Sequence, residues 1–176
     1  VWTFRLEDAA LQEGDTVTLT YGDTSGGGRG MAIQTFSNDA SPLPIYVDLE
    51  NSGHFLSLPL PTYRVVGTDM VAVHGIVPSI VAPGEPFRLR IRPEDHYFNL
   101  ATGAVPALTV SLNGEVFQQI PAGESAVRVL DVTLEREGVY QFTFATEDGR
   151  TLGQSNPVWV RENPPYRIYW GETHGQ

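Results

Sequence analysis

The stretch PFRLRIRP (residues 86–93) decides how this chain folds. Three apolar residues, from Phe87 to Ile91, alternate in it with three arginines, from Arg88 to Arg92. Period-two alternation places the apolar side chains on one side of an extended strand and the arginines on the other. A helix would instead distribute the arginines around its whole circumference. The stretch therefore predicts a β-strand with one buried face and one cationic face.

The same alternation recurs along the chain, at residues 15–22, 107–114, 127–134, 139–146 and 156–162. Glycine-containing turn sequences separate the later runs, at 82–86, 112–115, 121–125, 135–138 and 147–150. A turn about every ten residues between short alternating runs is typical of β-sandwiches. We therefore predict an all-β fold without long helices.

Two tandem β-sandwich modules are predicted, and the second of them is immunoglobulin-like. The first is a small module, residues 1–66, whose completeness the sequence leaves open. The second spans residues 67–163 and has about seven strands. Residues 164–176 follow as a linker. Tyr140, just after Gly138 at the start of a strand, resembles the tyrosine corner of such sandwiches, so we expect its ring to be buried.

Strands in the first module are predicted near residues 1–7, 15–22, 31–37, 44–50 and 54–66. Its loop GDTSGGG has a single carboxylate, Asp23, which is few for a Ca²⁺ site. The chain opens at Val1 without an initiator Met, so we expect it to be a piece of a longer protein.

Composition excludes several classes of function. The formal net charge is −10, which disfavours nucleic acid and anionic membrane surfaces as partners. All 11 basic residues are arginine and there is no cysteine, which excludes lysine-based and thiolate chemistry. No apolar run approaches the length of a membrane span. We expect a soluble protein, in either the cytoplasm or the periplasm.

A polar cluster in the loop PEDHYFN (93–99) is the first candidate site. Glu94, Asp95, His96 and Asn99 could together provide oxygen and imidazole ligands for a metal ion. Asp and Asn also stabilise turns by bonding their own backbone. An Asp four residues before an Asn resembles a common pattern in bacterial immunoglobulin-like repeats, so we favour the structural interpretation.

The second candidate is the stretch YRIYWGETHGQ (166–176). It resembles the opening strand of the PHP family (polymerase and histidinol phosphatase) of metal-dependent hydrolases, where an acid-x-His-x-His motif binds metal. In the resemblance Glu172 matches the acid and His174 the first histidine. Gln176 stands in place of the second histidine, and glutamine is a poor ligand for a transition metal.

The whole arrangement resembles a group of uncharacterised bacterial proteins in which β-sandwich modules precede a PHP-like domain. The resemblance implies that residues 164–176 lead into the first strand of that domain. It also implies a divalent metal, Zn, Mn or Fe, in the longer protein, held partly by His174 and Glu172. This chain alone would carry no catalytic or cofactor-binding residue.

The sequence therefore predicts a non-catalytic N-terminal accessory region of a larger PHP-like metallohydrolase. Its expected roles are docking of the C-terminal catalytic domain, control of substrate access, or assembly of a homo-oligomer. The alternative is a carbohydrate-binding or adhesion module that uses exposed aromatic side chains, and a Ca²⁺-stabilised extracellular repeat is a third. The substrate and the metal stay open at this point.

Overall fold

The structure is a computed structural model that describes residues 3–8 and 10–169. Every regular element in these ranges is a β-strand, so the predicted all-β fold is confirmed. Over the same residues, no helix has the length and hydrophobicity that crossing a membrane would require. The chain divides into two compact units, Val1–Gln34 and Thr35–Gln176, and every strand of the described residues lies in the second.

The strands are short and follow one another closely. The first eight are β1 (Asn38–Pro42), β2 (Tyr46–Val47), β3 (Leu56–Ser57), β4 (Thr62–Val65), β5 (Ala72–Ile76), β6 (Ile80–Val81), β7 (Phe87–Glu94) and β8 (Ala104–Val105). The others are β9 (Leu108–Leu112), β10 (Glu115–Ile120), β11 (Gly123–Glu124), β12 (Arg128–Val132), β13 (Gly138–Tyr140), β14 (Phe142–Thr146), β15 (Thr151–Gln154) and β16 (Val158–Val160).

Two main sheets form the sandwich. One has the strand order β12-β7-β5, and the other has the order β10-β9-β14-β15; all pairs are antiparallel. A third sheet has the strand order β13-β16-β6 and includes the parallel pair β6–β16. In the chain, β13 directly precedes β14, and β16 follows β15. The strands β8 and β11 form a small separate pair. All these strands come from segments where the sequence predicts the immunoglobulin-like module.

The hydrophobic core lies between the two main sheets. Leu89 and Ile91 of β7 are fully buried there, as are Phe142 and Phe144 of β14. Arg88 and Arg90 point to solvent, which confirms the strand with one buried and one cationic face. Each fully buried side chain of this size stabilises the fold by about 1.5–3 kcal/mol relative to an exposed one.

Tyr140 forms the predicted tyrosine corner. Its hydroxyl donates a hydrogen bond to the backbone carbonyl of Arg136, 3.0 Å away. The ring packs against the core but is only half-buried, so the expectation of a buried ring is wrong in degree. Gly138 leaves room for the ring, because a Cβ at that position would lie only 3.3 Å from a ring carbon of Tyr140. Its φ of +155° is also one that residues with a side chain rarely adopt.

A close approach of β15 and β5 requires glycine at one point. Gly153 has φ +155°, and a Cβ built on it would lie 2.1 Å from the backbone carbonyl oxygen of Val73. No side chain fits at that distance without moving the backbone. The two strands belong to different main sheets, so Gly153 permits the contact that joins the edges of the sandwich.

Residues 38–65 form a two-stranded ribbon that precedes the sandwich within the same compact unit. The strands β1 and β4 pair at one end of the ribbon, and β2 and β3 pair at the other. Predicted strands at 44–50 and 54–66 are thus found in shortened form. The predicted module bounds, 1–66 and 67–163, stay a prediction. The two compact units divide at a different position, between Gln34 and Thr35.

The strands predicted at 1–7, 15–22 and 31–37 are absent from the described part of those segments. Val17, Leu19 and Tyr21 alternate as a strand would, yet they are exposed by 65%, 40% and 50%. Alternation supplies side chains for one face of a strand but no hydrogen-bonding partner for its backbone, and a strand without a partner has no ladder. These three predictions were therefore wrong.

Candidate functional site

The loop at the end of β7 is built around the carboxylate of Asp95. One oxygen, Oδ1, accepts the backbone N–H groups of Tyr97 and Asn99, at 2.8 and 2.9 Å. The other, Oδ2, accepts the backbone N–H of Thr68 at 3.0 Å and the Asn99 side-chain amide at 3.1 Å. Four donors occupy the acceptor sites of the two oxygens. Asp95 therefore has no lone pair left for a metal ion.

The protonation of Asp95 follows from the same contacts. Its side chain is buried, at 2% exposure, and desolvation alone would raise the pKa. The hydrogen bonds from Thr68, Asn99 and Tyr97 favour the charged form and together outweigh desolvation, so the pKa falls to about 2. Asp95 is thus a carboxylate at any pH near neutrality.

Asn99 extends this network to the ribbon. Its Oδ1 accepts the backbone N–H of Ser37 at 2.7 Å, and its Nδ2 donates to the backbone carbonyl of Thr35 at 2.8 Å. Thr35 and Ser37 lie just before the ribbon in the chain, and Thr68, whose N–H bonds to Asp95, lies just after it. We call Asp95 and Asn99 the clasp, because together they bond the chain on both sides of the ribbon to the sandwich.

A second polar group lies one residue before the clasp. The buried carboxylate of Glu94 contacts Nδ1 of His74 through one oxygen and the guanidinium of Arg92 through the other. Arg92 also donates to the carbonyl of Phe98, 2.9 Å away, and the ring of Phe98 stacks on His74 with centroids 6.3 Å apart. These contacts attach Glu94 and Phe98, at the start and near the end of the loop, to Arg92 and His74.

Of the predicted cluster, Asp95 and Asn99 bond each other and Glu94 is buried beside them, whereas His96 is exposed and contacts Tyr97. The structural interpretation of this loop is confirmed, since the donors that surround Asp95 are backbone and amide groups. Over residues 3–8 and 10–169, no group of three or more His, Asp or Glu side chains could hold a metal ion. The predicted ligands His174 and Glu172 lie outside the described residues.

A groove of about 790 Å³ lies between the base of the ribbon and the sandwich. Its lining consists of Ser37, Asp39, residues 64–67, residues 100–104 and residues 123–125. Asp39 and Arg64 form an exposed ion pair, with 3.1 Å between Oδ1 and Nε. The lining has no aromatic ring on which a sugar could stack. The ring of Trp159, elsewhere on the sandwich, contacts Arg161 and Tyr166.

The contacts of Asn99 with Thr35 and Ser37 are the part of the site that sequence reasoning missed. They join residues more than sixty positions apart in the chain. The spacing of Asp95 and Asn99 predicts a braced loop, but it does not indicate which distant backbone groups the amide will bond.

Comparisons with known proteins give distant relatives. No protein-family model matches the chain. Uncharacterized proteins of Chlamydia muridarum and Chlamydia trachomatis are 22% identical to it over 94% of its length, and one of Chlamydia pneumoniae is 21% identical. The chain spans only 28% of the length of each of these relatives.

Solved structures of a CARDB domain from Pyrococcus furiosus also resemble part of the chain. The solution structure covers 51% of this chain and 92% of that domain, with 19% identity and a TM-score of 0.36. A crystal structure of the domain in complex with di-metal ions covers 51% and 90%, with 17% identity and a TM-score of 0.37.

Proposed function

We propose that this chain is a non-catalytic accessory region of a larger protein, in which the sandwich holds the ribbon in a fixed position. The clasp carries this proposal. A buried carboxylate and a buried amide make hydrogen bonds to backbone groups on both sides of the ribbon. Buried polar groups that are fully paired in this way specify one arrangement of the chain segments that they join.

The larger protein, in this proposal, is a metal-dependent hydrolase of the PHP type. The stretch YWGETHGQ supports it, with Glu172 and His174 in the positions of metal ligands. The relatives are compatible with it, because most of their length lies outside the region that this chain matches. The catalytic domain would supply the remaining ligands for Zn, Mn or Fe and would be the main partner of this region.

The test compares two lengths of polypeptide. The 176-residue chain and a longer one that continues beyond Gln176 in the gene are assayed on a chromogenic phosphomonoester with Mn²⁺ or Zn²⁺. We expect hydrolysis and tight metal binding, measured by calorimetry, from the longer polypeptide alone. His174→Ala should abolish both, while Thr173→Ala serves as the neighbouring control. Tight stoichiometric binding by the short chain, lost in His174→Ala, would contradict the proposal.

A carbohydrate-binding or adhesion module is the second candidate, favoured by one observation. Tyr97 and Phe98, adjacent on the loop of the clasp, are exposed by 52% and 70%. Exposed rings of this kind can stack on sugars. A glycan array that shows binding by the chain, and loss of that binding in Phe98→Ala, would replace the first proposal with this one.

A further inference from the structure

The ribbon is one continuous element rather than two separate strand pairs. The backbone N–H of Leu58 donates to the carbonyl of Ile45 at 3.0 Å, and that of Leu43 donates to the carbonyl of Pro61 at 2.8 Å. These bonds extend the pairing of β2 and β3 towards that of β1 and β4. The two arms of the ribbon therefore run side by side from its base at the clasp to its tip.

One side of the ribbon carries apolar side chains from both arms. Val47 lies opposite Leu56 in the strand pairing, and the bond between Leu58 and Ile45 continues the same register two residues on. Residues two apart on a strand, and residues directly opposite each other, share a face. We call Ile45, Val47, Leu56 and Leu58 the apolar face.

Within the compact unit Thr35–Gln176, the apolar face is open to solvent. Leu56 is exposed by 63% and Leu58 by 42%, whereas Ile45 and Val47 are half-buried. Leu60, which continues the alternation, is exposed by 49%. Contiguous exposed apolar surface of this kind marks an interaction site more often than isolated exposed residues do. A two-stranded hairpin is also only marginally stable by itself.

Both ends of the ribbon are nevertheless fixed. The clasp bonds the chain at the base. At the tip, the carboxylate of Asp48 accepts the backbone N–H groups of Glu50, Ser52 and Gly53, at 3.2, 3.1 and 2.7 Å. The apolar face is therefore held in shape before any partner arrives, which reduces the entropy that docking must overcome.

We propose that the apolar face docks onto an apolar surface of the same polypeptide that lies outside these 176 residues. This inference rests on the proposed function, in which that part is the catalytic domain. The relatives support such an occupant, because the region that matches 94% of this chain is only 28% of their length. A second copy fits less well, since two chains of net charge −10 repel each other.

Hydrogen exchange on the unmodified proteins tests the docking directly. The amides of residues 45–58 are compared between the 176-residue chain and the longer polypeptide. We expect exchange at least about tenfold slower in the longer polypeptide, because docking suppresses local opening of the ribbon. Equal exchange in the two lengths would overturn the proposal, whether or not the longer polypeptide hydrolyses a phosphoester.

A variant pair identifies the surface involved. Leu56→Ser with Leu58→Ser should leave the melting temperature of the short chain unchanged and should remove the exchange protection of residues 45–58 in the longer polypeptide. Val139→Ser, at a site of similar exposure on the sandwich, is the control and should do neither. Sedimentation adds the remaining outcome: a dimer of the short chain that the double variant dissociates would assign the face to a second copy and overturn the proposal.

Because hydrolysis and protection are measured separately, the two proposals fail separately. Hydrolysis without protection of the ribbon would retain the proposed function and remove the docking face. Protection without hydrolysis would retain the docking face and remove the metallohydrolase.

Discussion

Phe144 in the sandwich and Phe55 near the tip of the ribbon are the same residue type in two different surroundings. Phe144 is fully buried between the two main sheets, and Phe55 is exposed by 59%. Both lie in segments where apolar and polar residues mix as they do in strands. In the sandwich, a second sheet covers the apolar side of the first and with it Phe144, whereas Phe55 in the ribbon stays exposed. The pattern alone thus indicates a face to be covered, but not what covers it.

The largest effect that would test this comparison comes from removing the two rings. Phe144→Ala should lower the free energy of unfolding by about 3–5 kcal/mol, because it loses buried surface and leaves a cavity. Phe55→Ala in the same chain should change it by less than about 0.5 kcal/mol, as is usual for surface positions. Urea unfolding followed by tryptophan fluorescence measures both. A comparable loss in Phe55→Ala would mean that the ribbon has a core of its own.

A smaller effect tests whether the clasp joins the two regions. Asn99→Ala leaves the backbone groups of Thr35 and Ser37 without their partners and should cost about 2 kcal/mol. Hydrogen exchange should quicken at Ser37 and along the ribbon while the amides of β7 and β14 stay protected. Gln119→Ala, on the exposed strand β10, is the control. Unchanged exchange at Ser37 in Asn99→Ala would show that the ribbon needs no clasp.

Acid should weaken the same joint through Asp95. Its pKa is about 2 in the folded chain, below the value of about 3.9 expected when unfolded. The ionised carboxylate therefore contributes stability that is complete above about pH 4 and is lost as the pH falls through about 2. Thermal melts between these values should fall more steeply for the native chain than for Asp95→Asn, which cannot titrate there. Parallel slopes for the two proteins would contradict the assignment.

Most of the sandwich could be predicted from the sequence because its physics is local and periodic. The alternation around Leu89 and the turn before Tyr140 each indicate a strand and its buried side. The ribbon was predicted less well, since its strands break after two to five residues and its apolar side lies open. The clasp shows the same limit: Asp95 and Asn99 suggest a braced loop, while the partners Thr35 and Ser37 depend on the packing of distant segments.

The smallest expected effect concerns Tyr140, where the sandwich itself is half open. Tyr140→Phe keeps the ring that packs against the core and removes only the hydroxyl that donates to the carbonyl of Arg136. A single hydrogen bond of this kind contributes about 1 kcal/mol, and the half-buried position lets water take over part of the lost bond. Urea unfolding should therefore place the loss at or slightly below that value. A loss of several kcal/mol would mean that the corner fixes the whole turn between β12 and β13, and no loss would mean that ring packing alone holds it.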